Sequence, residues 1–445
     1  MADLYQALDC NLDFSEEKNS IRIHNFHSFP AKFPPGIPAR MIEELTNPGD
    51  VVLDPMCGSG TTMVEAVIAN RVAIGYDIDP LSILISKVKT TKYNPAILLE
   101  ALEKITYEAA RNIAEKSPEI TEYLNNKWDT QTRKFIDYWF SPDTQEELAS
   151  LLIEIEKNDD PTVKDFFRLV FSSIIITKTG GVSLALDLAH TRPHKAKEVT
   201  QKQNPSFNYS LIQDAPVKPY LAKVIKPAIV EFKKKAITNI QSTGDYPPVI
   251  GKSSISIGDA RNLQLGNESV NLIVTSPPYA SNAIDYMRAH KFSLVWFGYS
   301  IDSLSATRSE YVGSESTASY KDHELHTLSA NRIVSRISSI DTRKSAVVAK
   351  YYLESEVLIS EMYRVLKKGG NMVYVVGTST IKGVDIEVAN CLSEIGEKIG
   401  FQIPKIAIRK INRDKRMMPI SRNKNSDSQI EQRMHEEYVI GFHKG

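Results

Sequence analysis

Runs of apolar residues mark out the elements before any single residue is considered. Residues 37–46, IPARMIEELT, carry apolar positions at helical spacing and end in the turn Asn47-Pro48-Gly49-Asp50. Val51-Val52-Leu53 is a short unbroken apolar run, the pattern of a buried strand. Helical spacing returns from Thr61 to Asn70 through Val64, Val67 and Ile68, and Val72 to Tyr76 is a second strand closed by Asp77-Ile78-Asp79-Pro80. Strand, glycine-rich turn, helix, strand and acid at these intervals predict a βαβ unit.

From Leu81 to Val249 the pattern is mostly helical, clearest over Leu98 to Ala114, Gln145 to Lys157, Thr162 to Thr177 and Ile225 to Ile240. Gly180-Gly181 interrupts it, and Pro205 to Pro219 is irregular. This stretch is too long for a loop and predicts an inserted, mostly helical domain. Strands resume at Ser254 to Ile257 and Val270 to Thr275. Tyr352 to Leu366 reads as a helix, Asn371 to Val376 as a strand, and Phe401 to Ile411 and Glu437 to Phe442 as the last two strands. Residues 303–345 are rich in Ser, Thr and Arg with weak periodicity. The organisation expected is one α/β domain split into residues 1–92 and 251–445, with 93–250 inserted and available for target recognition.

The 445 residues are 42% hydrophobic, enough for a large core. No apolar run reaches the length that crosses a bilayer, and the N-terminus, MADLYQALDCNLDF, lacks the pattern of a secretory signal. Cys10, Cys57 and Cys391 are too scattered for a zinc site or a disulfide framework, so a cytoplasmic protein without a metal is expected. With 54 basic and 54 acidic residues the net charge is zero, which argues against indiscriminate coating of nucleic acid but allows local basic patches. Two are visible: Arg192, His194, Lys195, Lys197 and Lys202, and a second from Arg409 to Arg433.

Two motifs carry chemistry. In LDPMCGSGTT, residues 53–62, a strand runs into a glycine turn that opens a helix, letting backbone approach a ligand closely. Gly58 and Gly60 are not followed by the third glycine of a dinucleotide fingerprint or by a P-loop lysine. Asp54 ends one strand, where it can meet an ammonium; Asp77 ends the next, where a carboxylate can accept from both ribose hydroxyls. A ligand with an amino acid at one end and a nucleoside at the other fits both.

The second motif is VTSPPY, residues 274–279, a strand entering a diproline turn. The prolines stiffen Ser276-Pro277-Pro278, whose Pro277 carbonyl and Ser276 hydroxyl are hydrogen-bond acceptors. Two acceptors aimed at the hydrogens of a base amine favour its pyramidal, nucleophilic form, and Tyr279 offers a ring on which the base can stack. Such a base must leave the duplex, costing a few kcal/mol.

These segments resemble the amino-group DNA methyltransferases, which make N4-methylcytosine or N6-methyladenine. DPMCGSGTT is similar to the family's cofactor motif, with Met56 where phenylalanine is frequent, and His27-Ser28-Phe29-Pro30-Ala31-Lys32-Phe33-Pro34-Pro35 resembles its motif bordering the methionine end of the cofactor. SPPY is similar to the catalytic motif, in which serine at the first place accompanies mainly cytosine N4 enzymes. Asp259, in IGDARNL, resembles the acid that meets the cofactor's adenine amine, and EMYRVLKKGGNMVYVV, residues 361–376, resembles the helix and fifth strand of the fold.

The resemblance implies a class I S-adenosylmethionine-dependent methyltransferase fold, a mainly parallel seven-stranded sheet. It implies S-adenosylmethionine held by Lys32, Phe33, Asp54, Pro55, Gly58, Ser59, Gly60, Thr61, Asp77, Ile78, Asp259 and Ala260. Catalysis falls to Ser276, Pro277, Pro278 and Tyr279. Asn282, Asp285, Tyr286 and Arg288, which follow in NAIDYMR, are read either as lining the cleft or as the start of an amphipathic helix. The activity implied is methylation of a flipped cytosine in double-stranded DNA, with any restriction partner on a separate chain. Adenine N6, an RNA base amine and a non-enzymatic nucleic-acid-binding module remain the alternatives.

Overall fold

The computed structural model describes residues 1–14, 22–29, 34–177, 181–185, 207–210, 220–223, 225–247, 250–279, 285–313, 325–410 and 436–445. The first part of the chain forms α1 (Ala2–Leu8), a 3-10 turn (Arg22–Asn25), α2 (Gly36–Leu45), β1 (Val51–Asp54), α3 (Thr61–Ile68), β2 (Val72–Asp77) and α4 (Pro80–Lys89). Then come α5 (Pro95–Ala114), α6 (Pro118–Asn126), α7 (Thr130–Trp139), α8 (Pro142–Glu156), α9 (Pro161–Ile175), the hairpin β3 (Phe207–Ser210) and β4 (Tyr220–Lys223), and α10 (Ala228–Ser242). The remainder supplies β5 (Ser253–Ile257), β6 (Val270–Thr275), α11 (Met287–Leu294), α12 (Ile301–Ser309), α13 (Leu328–Ser338) and α14 (Thr342–Val365). It closes with β7 (Leu366–Gly377), the short pair β8 (Thr380–Ile381) and β9 (Val384–Asp385), α15 (Val388–Ile399), β10 (Phe401–Lys410) and β11 (Glu436–Lys444).

Seven strands make one sheet in the order β10-β11-β7-β6-β1-β2-β5. The run from β5 to β7 is parallel, and β11 lies antiparallel between β7 and β10. Successive side chains leave opposite faces of a strand. Thus Val52, Leu272, Val274, Val373 and Val439 join a core with Leu4, Met41, Ile42, Met63 and Val67 of α1 to α3. Leu53, Ile273, Met372, Tyr374 and Ile440 join the other, with Ile333, Leu358, Met362 and Leu392 of α13 to α15. This is the class I methyltransferase fold that the sequence implied, and parallel pairing brings the carboxyl ends of β1, β2, β5 and β6 to one edge.

The helices between β2 and β5 continue the core around α4. Leu102, Phe166, Phe171 and Phe232 pack in one apolar cluster with Ile23, Phe26, Leu81, Ile85, Phe292 and Trp296. Asn239 donates to the Phe26 carbonyl at 3.2 Å, and the Trp128 indole donates to the Val295 carbonyl at 2.8 Å. Prolines open α5, α8 and α9, and Asn94, Ser141 and Asp160 cap them.

The chain has more helix than its periodicity predicts. α6 buries only Ile120, and α13, inside the polar stretch 303–345, buries only Ala330, Ile333 and Ile337. So few apolar positions give little periodic signal. Lys367 to Gly370, between the expected helix and strand, lies within β7; the pairing with β6 shifts register between Val270 and Leu272, and Gly369 takes φ 74°. Among the described residues no helix is long and apolar enough to cross a membrane. Lys32, Phe33, Asn282, the basic residues from Arg192 to Lys202 and those from Arg413 to Arg433 lie outside the described residues.

Candidate active site

The glycine turn is built by conformations that favour glycine. Gly58 has φ 47° and Gly60 φ 74°. A Cβ on Gly60 would stand 2.6 Å from Ser86 Oγ, so the turn lies directly on α4. The buried Lys89 ammonium donates to the Ser59 carbonyl at 2.9 Å, fixing the turn from below. Gly58 N–H donates to Asp77 Oδ2 at 2.8 Å and Asp79 N–H to Asp77 Oδ1 at 2.9 Å, so the acid ending β2 is aimed by backbone. Burial, reinforced by the Asp79 carboxylate, pushes Asp77 up to about 7.

Asp54 ties the two motifs together. The Thr275 hydroxyl, one residue before SPPY, donates to Asp54 Oδ1 at 2.7 Å, and Met56 N–H donates to the same oxygen at 3.2 Å. Burial raises Asp54 to about 6 despite these bonds. Asp259, after β5, is gripped by Arg261 through Nε and Nη2 at 2.7–3.0 Å. Burial opposes its ionised form, but the guanidinium beside it holds the carboxyl below its usual range. Arg261 also reaches the buried Glu354 at 3.2 Å.

One cleft joins these groups. Asp54, Pro55, Gly58, Ser59, Thr61, Asp77, Ile78, Asp259, Ala260, Ser276 and Pro278 line it, as does Tyr286; Gly60, Pro277 and Tyr279 stand outside its lining. Phe29 also lines it, stacked on Tyr286 with ring centroids 5.0 Å apart, and Met56 occupies the place where the family motif favours phenylalanine. Glu310, Tyr311 and Val312 close one side, a contribution that nothing in the sequence announced. Tyr311 donates to Asp79 Oδ2 at 2.9 Å, and His290 Nδ1 lies 2.6 Å from the same oxygen. Burial would raise Asp79, but these contacts, His290 foremost, hold it below the usual carboxylate range. Asp285 lies 2.6 Å from Arg308 and Arg288 is 48% exposed; neither lines the cleft.

SPPY follows β6 at the same edge. Pro277 is buried and Ser276 half-buried. The Tyr279 hydroxyl donates to Glu437 Oε1 at 2.8 Å and lies 3.4 Å from Ser276 Oγ. Glu437 in turn meets Arg409, 3.1 Å away and only 6% exposed, so the first residue of the C-terminal basic run is an internal partner.

The family model for DNA methylases of the N6/N4 type matches residues 11–88. The Type II methyltransferase M.MvaI of Kocuria varians is 24% identical over 401 residues, covering 84% of this chain and 81% of that protein. M.BsoBI of Geobacillus stearothermophilus, also a Type II methyltransferase, is 23% identical over 437 residues, 89% of this chain and 81% of that one. The chain is thus similar to Type II DNA methyltransferases over most of its length and to the N6/N4 DNA methylase family over residues 11–88. The Type II methyltransferase M.MjaII of Methanocaldococcus jannaschii is 33% identical over a shorter stretch, 135 residues, or 28% of this chain and 25% of its own length.

The cofactor is S-adenosylmethionine, and the cleft suits a cationic nucleoside. Five carboxylates line it, Asp54, Asp77, Asp79, Asp259 and Glu310, and the glycine turn leaves backbone exposed beside them. Bound there, the cofactor supplies an electrophilic methyl group on its sulfonium.

Proposed function

We propose that the enzyme methylates the N4 amine of a cytosine flipped out of double-stranded DNA at a specific sequence. The observation that carries this reading is the shared cleft: Ser276 and Pro278 line the same cavity as Asp77 and the glycine turn. In this reading Asp54 meets the cofactor's ammonium, Asp77 accepts from its ribose hydroxyls and Asp259 accepts from its adenine amine. Pro55, Gly58, Ser59, Gly60, Thr61, Ile78 and Ala260 pack around it, with Lys32 and Phe33 at the methionine end. The Ser276 hydroxyl and Pro277 carbonyl take the two hydrogens of the base amine, leaving its lone pair free, while Tyr279 stacks on the base and Pro278 holds the turn. Stacking of about 1–3 kcal/mol offsets part of the unstacking cost. Thr275 links Asp54 to the catalytic turn, so cofactor and base are positioned by one hydrogen-bonded unit. A cognate restriction endonuclease, in this reading, is a separate chain.

Incubating the enzyme with labelled cofactor and unmethylated plasmid DNA, then digesting to nucleosides, is expected to yield labelled N4-methylcytosine. Labelled N6-methyladenine would transfer the same mechanism to adenine, and label in RNA but not in DNA would sink the DNA assignment.

Cofactor affinity is also expected to depend on pH with a definite sign. The ionised acids bind the ribose hydroxyls and the ammonium best, so protonation weakens binding. Well above 7 the dissociation constant is flat; as pH falls through the Asp77 value of about 7 it rises, approaching about tenfold per unit. Below about 6 the rise steepens as Asp54 is protonated too. Titration calorimetry across this range measures it, and affinity independent of pH would remove both acids from the cofactor site.

A further inference from the structure

Tyr279 is held by more than its own turn. Its hydroxyl donates to Glu437 Oε1 at 2.8 Å, and Glu437 lies 158 residues further along the chain. Glu437, second residue of β11, lies opposite Arg409 of β10, and on its other side it pairs with Gly377 of β7, a position without a side chain. Arg409 stands 3.1 Å from Glu437 Oε2, with both side chains nearly buried at 6% and 11% exposure. An ion pair so deeply buried adds little stability over an apolar pair of the same size, so stability alone does not account for it.

The direction of the hydrogen bonds supplies a reason. The phenol has one proton, and it is directed to Glu437. Burial and the neighbouring carboxylate push the Tyr279 hydroxyl well up, so it keeps that proton. The contact between Tyr279 and Ser276 Oγ, 3.4 Å long, therefore runs one way: Ser276 O–H donates to the phenol oxygen. The lone pairs of Ser276 are then what it presents to its other neighbours, and Ser276 lines the cleft.

We propose that Glu437, held by Arg409, is a positioning residue that fixes both the plane of the Tyr279 ring and the polarity of the Ser276 hydroxyl, making Ser276 an acceptor toward the target amine. The inference rests on the proposed base-binding role of SPPY and extends it to the last two strands of the sheet.

The test measures turnover on unmethylated plasmid DNA, cofactor affinity by calorimetry and thermal midpoints, for Tyr279→Phe, Glu437→Ala, Glu437→Gln and the double variant Tyr279→Phe/Glu437→Ala. Tyr279→Phe keeps the ring and the Arg409–Glu437 pair, so it leaves the fold intact. It is expected to lower kcat about tenfold to a hundredfold with cofactor affinity within about twofold. Glu437→Gln retains an acceptor and restores most of the turnover lost in Glu437→Ala. The double variant turns over no more slowly than Tyr279→Phe alone, because both changes cut one chain of bonds. Wild-type turnover in Tyr279→Phe overturns the proposal, as do multiplicative losses in the double variant or a Glu437→Gln no better than alanine. Glu437→Ala with a lowered midpoint but wild-type kcat would show a purely structural pair. Tyr279→Ala separates the two levels. If it keeps wild-type activity, the base-pocket reading fails. If it is inactive while Tyr279→Phe is normal, only the tether fails.

Discussion

Asp77→Ala is expected to raise the dissociation constant for S-adenosylmethionine by about 30-fold to 1000-fold, leaving the fold intact. The lower figure corresponds to about 2 kcal/mol and the upper to about 4 kcal/mol, the range for two hydrogen bonds to an ionised acceptor. The substitution also strips Gly58 N–H and Asp79 N–H of their acceptor, so the glycine turn loses the contact that ties it to β2. Asp77→Asn separates the contributions, because its single carbonyl oxygen serves one of these donors and not both. Calorimetry on the purified variants reads the effect directly. Unchanged affinity in Asp77→Ala would remove this acid from the cofactor site, and loss of affinity accompanied by unfolding, read from circular dichroism, would make it structural.

Tyr279→Ala is expected to act on the opposite side of the reaction. It deletes the ring proposed to stack on the base, and turnover should fall about tenfold to a hundredfold or more, because stacking contributes about 1–3 kcal/mol per base and the chain of bonds through Ser276 is lost as well. Tyr279 stands outside the lining of the cofactor cleft, so cofactor affinity should change by less than about twofold. A fluorescent base analogue at the methylated position, once that position is mapped, provides a second reading: its emission should rise on binding to the wild-type enzyme and change in the variant. An equal loss of cofactor affinity and turnover would place Tyr279 in the cofactor site instead.

The contrast between these two residues and Glu437 shows what the sequence made legible. Asp77, Gly58 and Gly60 lie within one βαβ unit, and Ser276 to Tyr279 follow their strand directly. Short-range rules of turn and strand suffice to place such groups, because the backbone itself aims them. Asp259 was visible as a strand-end acid, but not Arg261 two residues on, which grips it with two nitrogens. Glu437 and Tyr311 were not visible. Each reaches its partner, Tyr279 or Asp79, across 158 and 232 residues, and only the strand order and the packing of α12 create those contacts. The helices α6 and α13 were missed for a different reason: they bury so few side chains that their apolar repeat is lost among polar residues.

The pairing of β2 with β5 has a consequence for how the protein is made. Ala73 and Asp77 pair with Ser253 and Ile257, and the chain between them contains α4 to α10. At synthesis rates of about 5–20 residues per second, the free edge of β2 waits on the order of ten seconds or more on the ribosome before its neighbour emerges. Contacts so distant in sequence also form slowly once both strands are available. During that interval β2 presents unpaired N–H and C=O groups to other nascent chains, the geometry from which edge-to-edge aggregation begins. The helices laid down in the meantime pack against α4, which follows β2 directly, so their early folding limits what that waiting edge can meet.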